Sequence, residues 1–115
     1  YYNLIVISSR PTTIQTITNQ WINTNFPNTF SKIILTNQFS KNHHPKTTKK
    51  NACIENNANY LIEDALEYAQ SCSQVCQVFL LNQPWNQQPS LNHNITRVLS
   101  WQHIADHLKN TRLIM

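Results

Sequence analysis

Residues 4–11 read LIVISSRP. Leu4, Ile5, Val6 and Ile7 make a short apolar run, closed by Ser8, Ser9, Arg10 and Pro11. A β-branched run closed by polar residues predicts a buried strand over 3–8. Pro11 suits the first turn of a helix, with Ser9, Thr12 or Thr13 available as caps. Ile14, Ile17, Trp21 and Ile22 then recur at helical spacing and predict one inward face. Pro27 biases Phe26 out of the helical region, so that helix ends near Asn25.

The alternation continues outward from this unit. KIILT, 32–36, reads as a second strand, and 37–48 as a polar loop. A brief helix is expected from Lys49 to Asn56, with Ala52, Cys53 and Asn56 inward. NYLIED, 59–64, is a third strand ending in two carboxylates, followed by a helix over 65–72. QVFLL, 77–81, is a fourth strand and Ile95–Val98 a fifth, separated by a long polar loop. Ser100 caps a last helix through Lys109, with Trp101, Ile104 and Leu108 on one side. The order β-α-β-α-β-α-β-β-α, with short apolar strands, predicts an α/β fold. Its sheet is Rossmann-like and mainly parallel, with helices on both faces. In such sheets ligands bind beyond the carboxyl ends of the strands. The residues there are Ser8-Ser9-Arg10, Thr36-Asn37-Gln38, Glu63-Asp64 and Asn82.

Composition narrows the partners. The 115 residues suffice for one domain and a core. Net charge is +4, but Lys and Arg are spread thinly, densest at Lys46, Lys49 and Lys50. That pattern favours a local anion site over a nucleic-acid face. No apolar run is long enough to span a membrane. Three cysteines without framework spacing point to reduced thiols and a cytoplasmic protein. There is no glycine, whereas asparagine is abundant. Asn28, Asn57 and Asn82 are therefore expected to take the left-handed turns that glycine usually supplies. His103 and His107, four apart on the last helix, read as a solvated pair rather than a metal site.

Three groups hold the chemistry. Ser8 and Ser9, where a strand hands over to a helix, suit a phosphate, and Arg10 adds a bidentate cation. Plain N-capping accounts for the same serines. Glu63 and Asp64 repel one another unless a cation lies near, and Mg²⁺ is the economical one. Acids complementing the dipole of the 65–72 helix fit equally. Lys49 and Lys50 open a helix, the unfavourable end for a cation, so an anion or carboxylate should face them; a solvated basic loop is the alternative.

Strand-Ser, helix-start Lys and strand-Glu-Asp together resemble motifs two, three and four of the haloacid dehalogenase (HAD) superfamily. The stretches LIVISSRPTTIQTITNQWINTNFP, KIILTNQF, KKNACIENNANYLIEDALEYA, VFLLNQPWN and ITRVLSWQHIADHL resemble its small 5′-nucleotidase-like branch over nearly the whole chain. The resemblance implies a Mg²⁺-dependent phosphohydrolase acting on a small phosphorylated substrate such as a nucleoside monophosphate. Ser8 matches the hydroxyl that binds the phosphoryl group, with Ser9 and Arg10 as helpers. Lys49 matches the motif-three lysine by its distance to the Glu63-Asp64 pair, with Lys50 as the alternative. Asp64 matches the direct Mg²⁺ ligand, with Glu63 as second ligand or outer-shell group. Trp85 and Asn86 are read as structural.

One departure is large. The family attacks phosphorus with the first Asp of a DxD motif at the end of a central strand. Here the two aspartates, Asp64 and Asp106, belong to no DxD. The expected fold is thus an incomplete HAD-type core, residues 1–115, holding motifs two to four, without its central first strand. Only the short 37–48 loop stands where a C2-type cap would be inserted. The start at Tyr1 is read as a cut edge, with the nucleophile outside these residues. A catalytically inactive HAD-like module that binds phosphate or another anion is the alternative.

Overall fold

The computed structural model describes residues 2–114, with side chains as far as Lys109. Tyr1, on which the expected cut edge rests, lies outside the described residues. The elements follow the expected order. They are β1 (Ile5–Ser8), α1 (Gln15–Asn25), β2 (Lys32–Leu35), α2 (Lys49–Glu55), β3 (Tyr60–Glu63), α3 (Leu66–Cys72), β4 (Gln77–Leu81), β5 (Ile95–Val98) and α4 (Trp101–Ile114). Short 3₁₀ turns at Thr12–Ile14 and Pro84–Asn86 precede α1 and interrupt the 82–94 loop. Every strand pair is parallel, so the α/β class with parallel sheets holds. No helix is long and apolar enough to cross a membrane, among the described residues.

The chain divides into two units, Tyr1–Ala52 and Cys53–Met115. In the first, β1 pairs with β2 in parallel, Ile5 opposite Lys32 and Ser8 opposite Leu35. The ladder runs one step further, where Thr36 N donates to Ser8 O at 2.8 Å and Asn37 N to Arg10 O at 3.1 Å. α1 stops where Pro27 requires, with Phe26 outside the helical region at φ −136° and ψ 66°. Its inward face differs from the expected one. Thr18 and Ile22 are buried, whereas Ile17 is 66% and Trp21 61% exposed. The cause is the 3₁₀ turn, which ends at Ile14 with φ −109° and ψ 23°. α1 therefore starts afresh at Gln15, and the row Ile14–Thr18–Ile22 faces inward rather than Ile17–Trp21.

In the second unit the sheet order is β3-β4-β5, Glu63 opposite Leu80 and Leu81 opposite Val98. β4 is central. Val78, Phe79 and Leu80 are all buried, so successive residues are covered on opposite faces. On one face Ile104 and Leu108 of α4 pack with Phe79, Leu81 and Val98, and Tyr60 stacks on Phe79 at 5.6 Å. Burying each such side chain contributes roughly 1.5–3 kcal/mol. Ser100 caps α4 as expected, accepting from His103 N at 3.1 Å. Trp101, expected inward, is 64% exposed, because α4 docks through its second and third turns instead.

Among the described residues three have positive φ: Asn28 at 57°, Asn37 at 57° and Asn57 at 52°. Asn28 and Asn57 match the expectation. The third is Asn37, not Asn82.

Candidate functional site

At the carboxyl end of β1, the chain leaves the strand through Ser8, Ser9 and Arg10. Ser8 Oγ accepts from Arg10 N at 3.3 Å, a local turn that fixes the hydroxyl over the strand end. Arg10 Nη1 donates to Thr18 Oγ1 on α1 at 3.3 Å. Neither the 3₁₀ turn nor α1 has a side-chain cap, so Ser9, Thr12 and Thr13 do not serve in the capping role that competes with ligand binding. Ser9 has no side-chain hydrogen bond among the described residues. A cavity of about 170 Å³ opens here, lined by Val6, Ser8, Arg10, Thr18, Trp21 and Ile22.

Asn37, at the end of β2, braces the neighbouring loop. It is fully buried. Its Oδ1 accepts from Thr12 N at 3.1 Å and from Asn42 Nδ2 at 2.9 Å. Its Nδ2 donates to Asn42 Oδ1 at 2.7 Å and to His44 O at 3.2 Å. The left-handed backbone is what swings this amide back across the loop. Beside it, Thr36 Oγ1 and Gln38 Oε1 are buried with no partner among the described residues. Buried polar atoms left open in this way concentrate at ligand sites and hydration sites. Lys49 and Lys50 open α2 and are half-buried. Thr48 caps that helix, its Oγ1 accepting from Asn51 N at 3.0 Å.

In the second unit, Glu63 and Asp64 leave β3 in different roles. Glu63 is buried, and its Oε1 accepts from Asp64 N at 3.2 Å and Ala65 N at 3.3 Å. It thereby satisfies amides at the start of α3, as a helix N-terminal acid should. Asp64 is exposed, and its carboxylate has no partner among the described residues. Its backbone is gripped instead. Trp85 Nε1 donates to Asp64 O at 3.1 Å and Asn86 Nδ2 at 2.8 Å.

The same Asn86 Nδ2 donates to Leu81 O at 2.8 Å, while Asn86 Oδ1 accepts from Gln83 N at 3.1 Å and Arg97 Nη1 at 2.8 Å. Arg97 also reaches Asn86 O and Asn82 Oδ1. The structural role expected for Trp85 and Asn86 is thus explicit: they fix the position of Asp64. The expectation passed over Arg97, because only the returning loop brings it to Asn86. His103 is engaged locally, its Nδ1 accepting from Leu99 N at 3.2 Å, and its ring lies 5.0 Å from that of His107.

Among the described residues, no three His, Cys, Asp or Glu side chains gather to hold a metal ion. Mg²⁺ needs no such cage. It binds through one or two carboxylates and keeps several waters. An exposed carboxylate on a clamped backbone, beside a second acid, fits that donor set. Comparisons with family models, curated proteins and solved structures find no match to this chain.

Proposed function

We propose that this chain is the motif-two to motif-four part of a HAD-type, Mg²⁺-dependent phosphohydrolase of the 5′-nucleotidase-like branch. The observation behind this reading is the strand pairing. Among the described residues, β1 is paired on its β2 side only and β3 on its β4 side only. In the HAD family the nucleophile's strand lies between the strands corresponding to these two. The missing DxD and the two open edges have the same explanation.

In this reading Ser8 and Arg10 bind phosphoryl oxygens, with Ser9 alongside and Lys49 neutralising charge; Lys50 is the substitute. Asp64, with Glu63, would hold Mg²⁺, which supplies charge neutralisation on the phosphoryl oxygens when bound. The nucleophilic aspartate, outside these residues, attacks phosphorus and the ester bond breaks. Water then hydrolyses the aspartyl phosphate. A nucleoside monophosphate is the expected substrate.

Two measurements test this. In the chain as it stands, inorganic phosphate should shift the amide resonances of Ser8, Ser9 and Arg10, and Mg²⁺ those around Asp64. Unmoved resonances at 8–10 would refute the phosphate assignment. With an apolar strand ending in DxD fused ahead of residue 1, Mg²⁺-dependent hydrolysis of an aryl phosphate should appear. Asp64→Asn should abolish it, and Lys49→Ala should slow it by roughly 10²–10³-fold. Full activity in Asp64→Asn would remove the metal assignment. Phosphate binding without hydrolysis would leave the inactive anion-binding module.

A further inference from the structure

The cavity at the carboxyl end of β1 is lined by two unlike sets of side chains. Ser8 and Arg10 are polar, whereas Trp21 of α1 lines the same space with an indole that is 61% exposed. A phosphoryl group at Ser8 and Arg10 makes no use of that ring. Two contacts fix the relation between cation and indole. Arg10 Nη1 donates to Thr18 Oγ1 at 3.3 Å, and Thr18 is buried. Trp21 lies three residues further along α1, so the two side chains are neighbours on the helix, about 5–6 Å apart at Cβ. The guanidinium is thereby tethered one turn from the ring. Its Nε and Nη2 have no partner among the described residues. The indole in turn meets Phe26, with centroids 6.2 Å apart and planes at 59°, and Phe26 meets Phe30 at 6.1 Å and 78°. Tilted contacts hold a ring in place without covering both of its faces. A single exposed apolar side chain is ordinary, but this one is braced, lines a cavity and sits beside a tethered cation.

We propose that Trp21 is a stacking platform, and that the cavity takes a phosphate monoester whose organic group carries a flat aromatic ring. This rests on the phosphate reading of Ser8 and Arg10, and it adds the residue that selects the organic group. The lining complements such a ligand at both ends. The Ser8 hydroxyl and the open guanidinium donors suit phosphoryl oxygens. The indole takes the ring by stacking, and Val6 and Ile22 keep the rest of the lining apolar. Stacking needs no matching hydrogen bonds, because every aromatic ring has a π-face. The site should therefore rank ligands by whether a ring is present, and only weakly by which ring it is. Trp21 acts here as a positioning residue: it orients the ester and touches no reacting atom.

The test is a set of titrations of the chain, read by calorimetry and by the Trp21 indole Nε1–H resonance. The ligands are a nucleoside 5′-monophosphate, ribose 5-phosphate, the nucleoside alone and inorganic phosphate. The monophosphate should bind roughly 10–100-fold tighter than ribose 5-phosphate and shift the indole resonance, which ribose 5-phosphate leaves in place. Trp21→Ala should erase that preference and leave the affinity for ribose 5-phosphate unchanged. Trp21→Leu, which keeps an apolar side chain, should lose the preference alike and decides the matter where the alanine variant does not fold. Trp101→Ala, at an equally exposed indole in the second unit, should change nothing. Equal affinity for the two phosphates, or a preference that survives in Trp21→Ala and Trp21→Leu, would overturn the proposal even with phosphate held at residues 8–10. Unmoved resonances at 8–10 with inorganic phosphate, together with an indole shift from the nucleoside, would instead remove the phosphate reading and support the platform. An indole resonance unmoved by nucleoside and monophosphate alike would overturn the platform.

Discussion

Replacing Asn86 by alanine tests how Asp64 is held. The side chain is fully buried and makes four hydrogen bonds, to Asp64 O, Leu81 O, Gln83 N and Arg97 Nη1. Two partners keep a second contact: Asp64 O retains Trp85 Nε1, and Arg97 Nη1 retains Asn82 Oδ1. The cost then falls on the Leu81 carbonyl and the Gln83 amide. Each loses about 1 kcal/mol of net bonding, and a buried group left unsatisfied adds about 1–3 kcal/mol. A loss of about 3 kcal/mol is expected, large beside a typical domain stability of about 5–15 kcal/mol. Urea unfolding followed by far-ultraviolet circular dichroism would measure it as a fall in Cm at constant slope. Asn86→Asp keeps the acceptor contacts and adds a carboxylate beside Arg97, so it should cost less. An Asn86→Ala variant within about 0.5 kcal/mol of the parent, the range of neutral surface changes, would refute the reasoning.

Three further outcomes are expected. Ile22→Ala should cost about 2–4 kcal/mol, as a core truncation does, and Ile17→Ala less than about 0.5 kcal/mol; equal losses in urea unfolding would contradict the observed face of α1. Asn57→Ala should cost about 1 kcal/mol through its left-handed backbone, while Asn57→Gly should be tolerated. Stability should fall as pH rises above about 9. Cys72 and Cys76, whose ordinary value is 9.0, are held protonated in the fold by the hydrogen bond to Cys53, then by burial and neighbouring charge. The unfolded chain releases those protons first, so it binds fewer and gains on the folded state. Thermal melts between pH 7 and 10 should show a steeper decline for the parent than for Cys76→Ala.

The order and type of elements were legible because their runs are short, apolar and cleanly punctuated. β4 is the clearest case, expected and found at Gln77–Leu81. The inward face of α1 was not legible. Thr18 sits in the buried row and hides it, while Ile17 and Trp21 advertise a row that is exposed. At the strand ends, the residue types marked the right corners, but their roles depend on where side chains turn. Glu63 folds back onto the amides of Asp64 and Ala65, whereas the Asp64 carboxylate makes no such bond. The Asn86 hub depends on a loop returning to the end of β3, a long-range contact without local periodicity. Asn37 was visible as a strand-end polar residue, yet its positive φ was not, because Asn82 was an equally good candidate for that turn.

The absence of glycine has a consequence in the unfolded chain. Every residue here has a Cβ, so the denatured ensemble samples fewer backbone states than an ordinary chain of this length. Where the native backbone tolerates it, each such restriction contributes roughly 0.4–1 kcal/mol by lowering the entropy lost on folding. Asn28, Asn37 and Asn57 exchange part of that gain for local strain at their positive φ. The ordering of this fold is thus favoured partly by a stiffer starting state, which no contact in the folded molecule reveals.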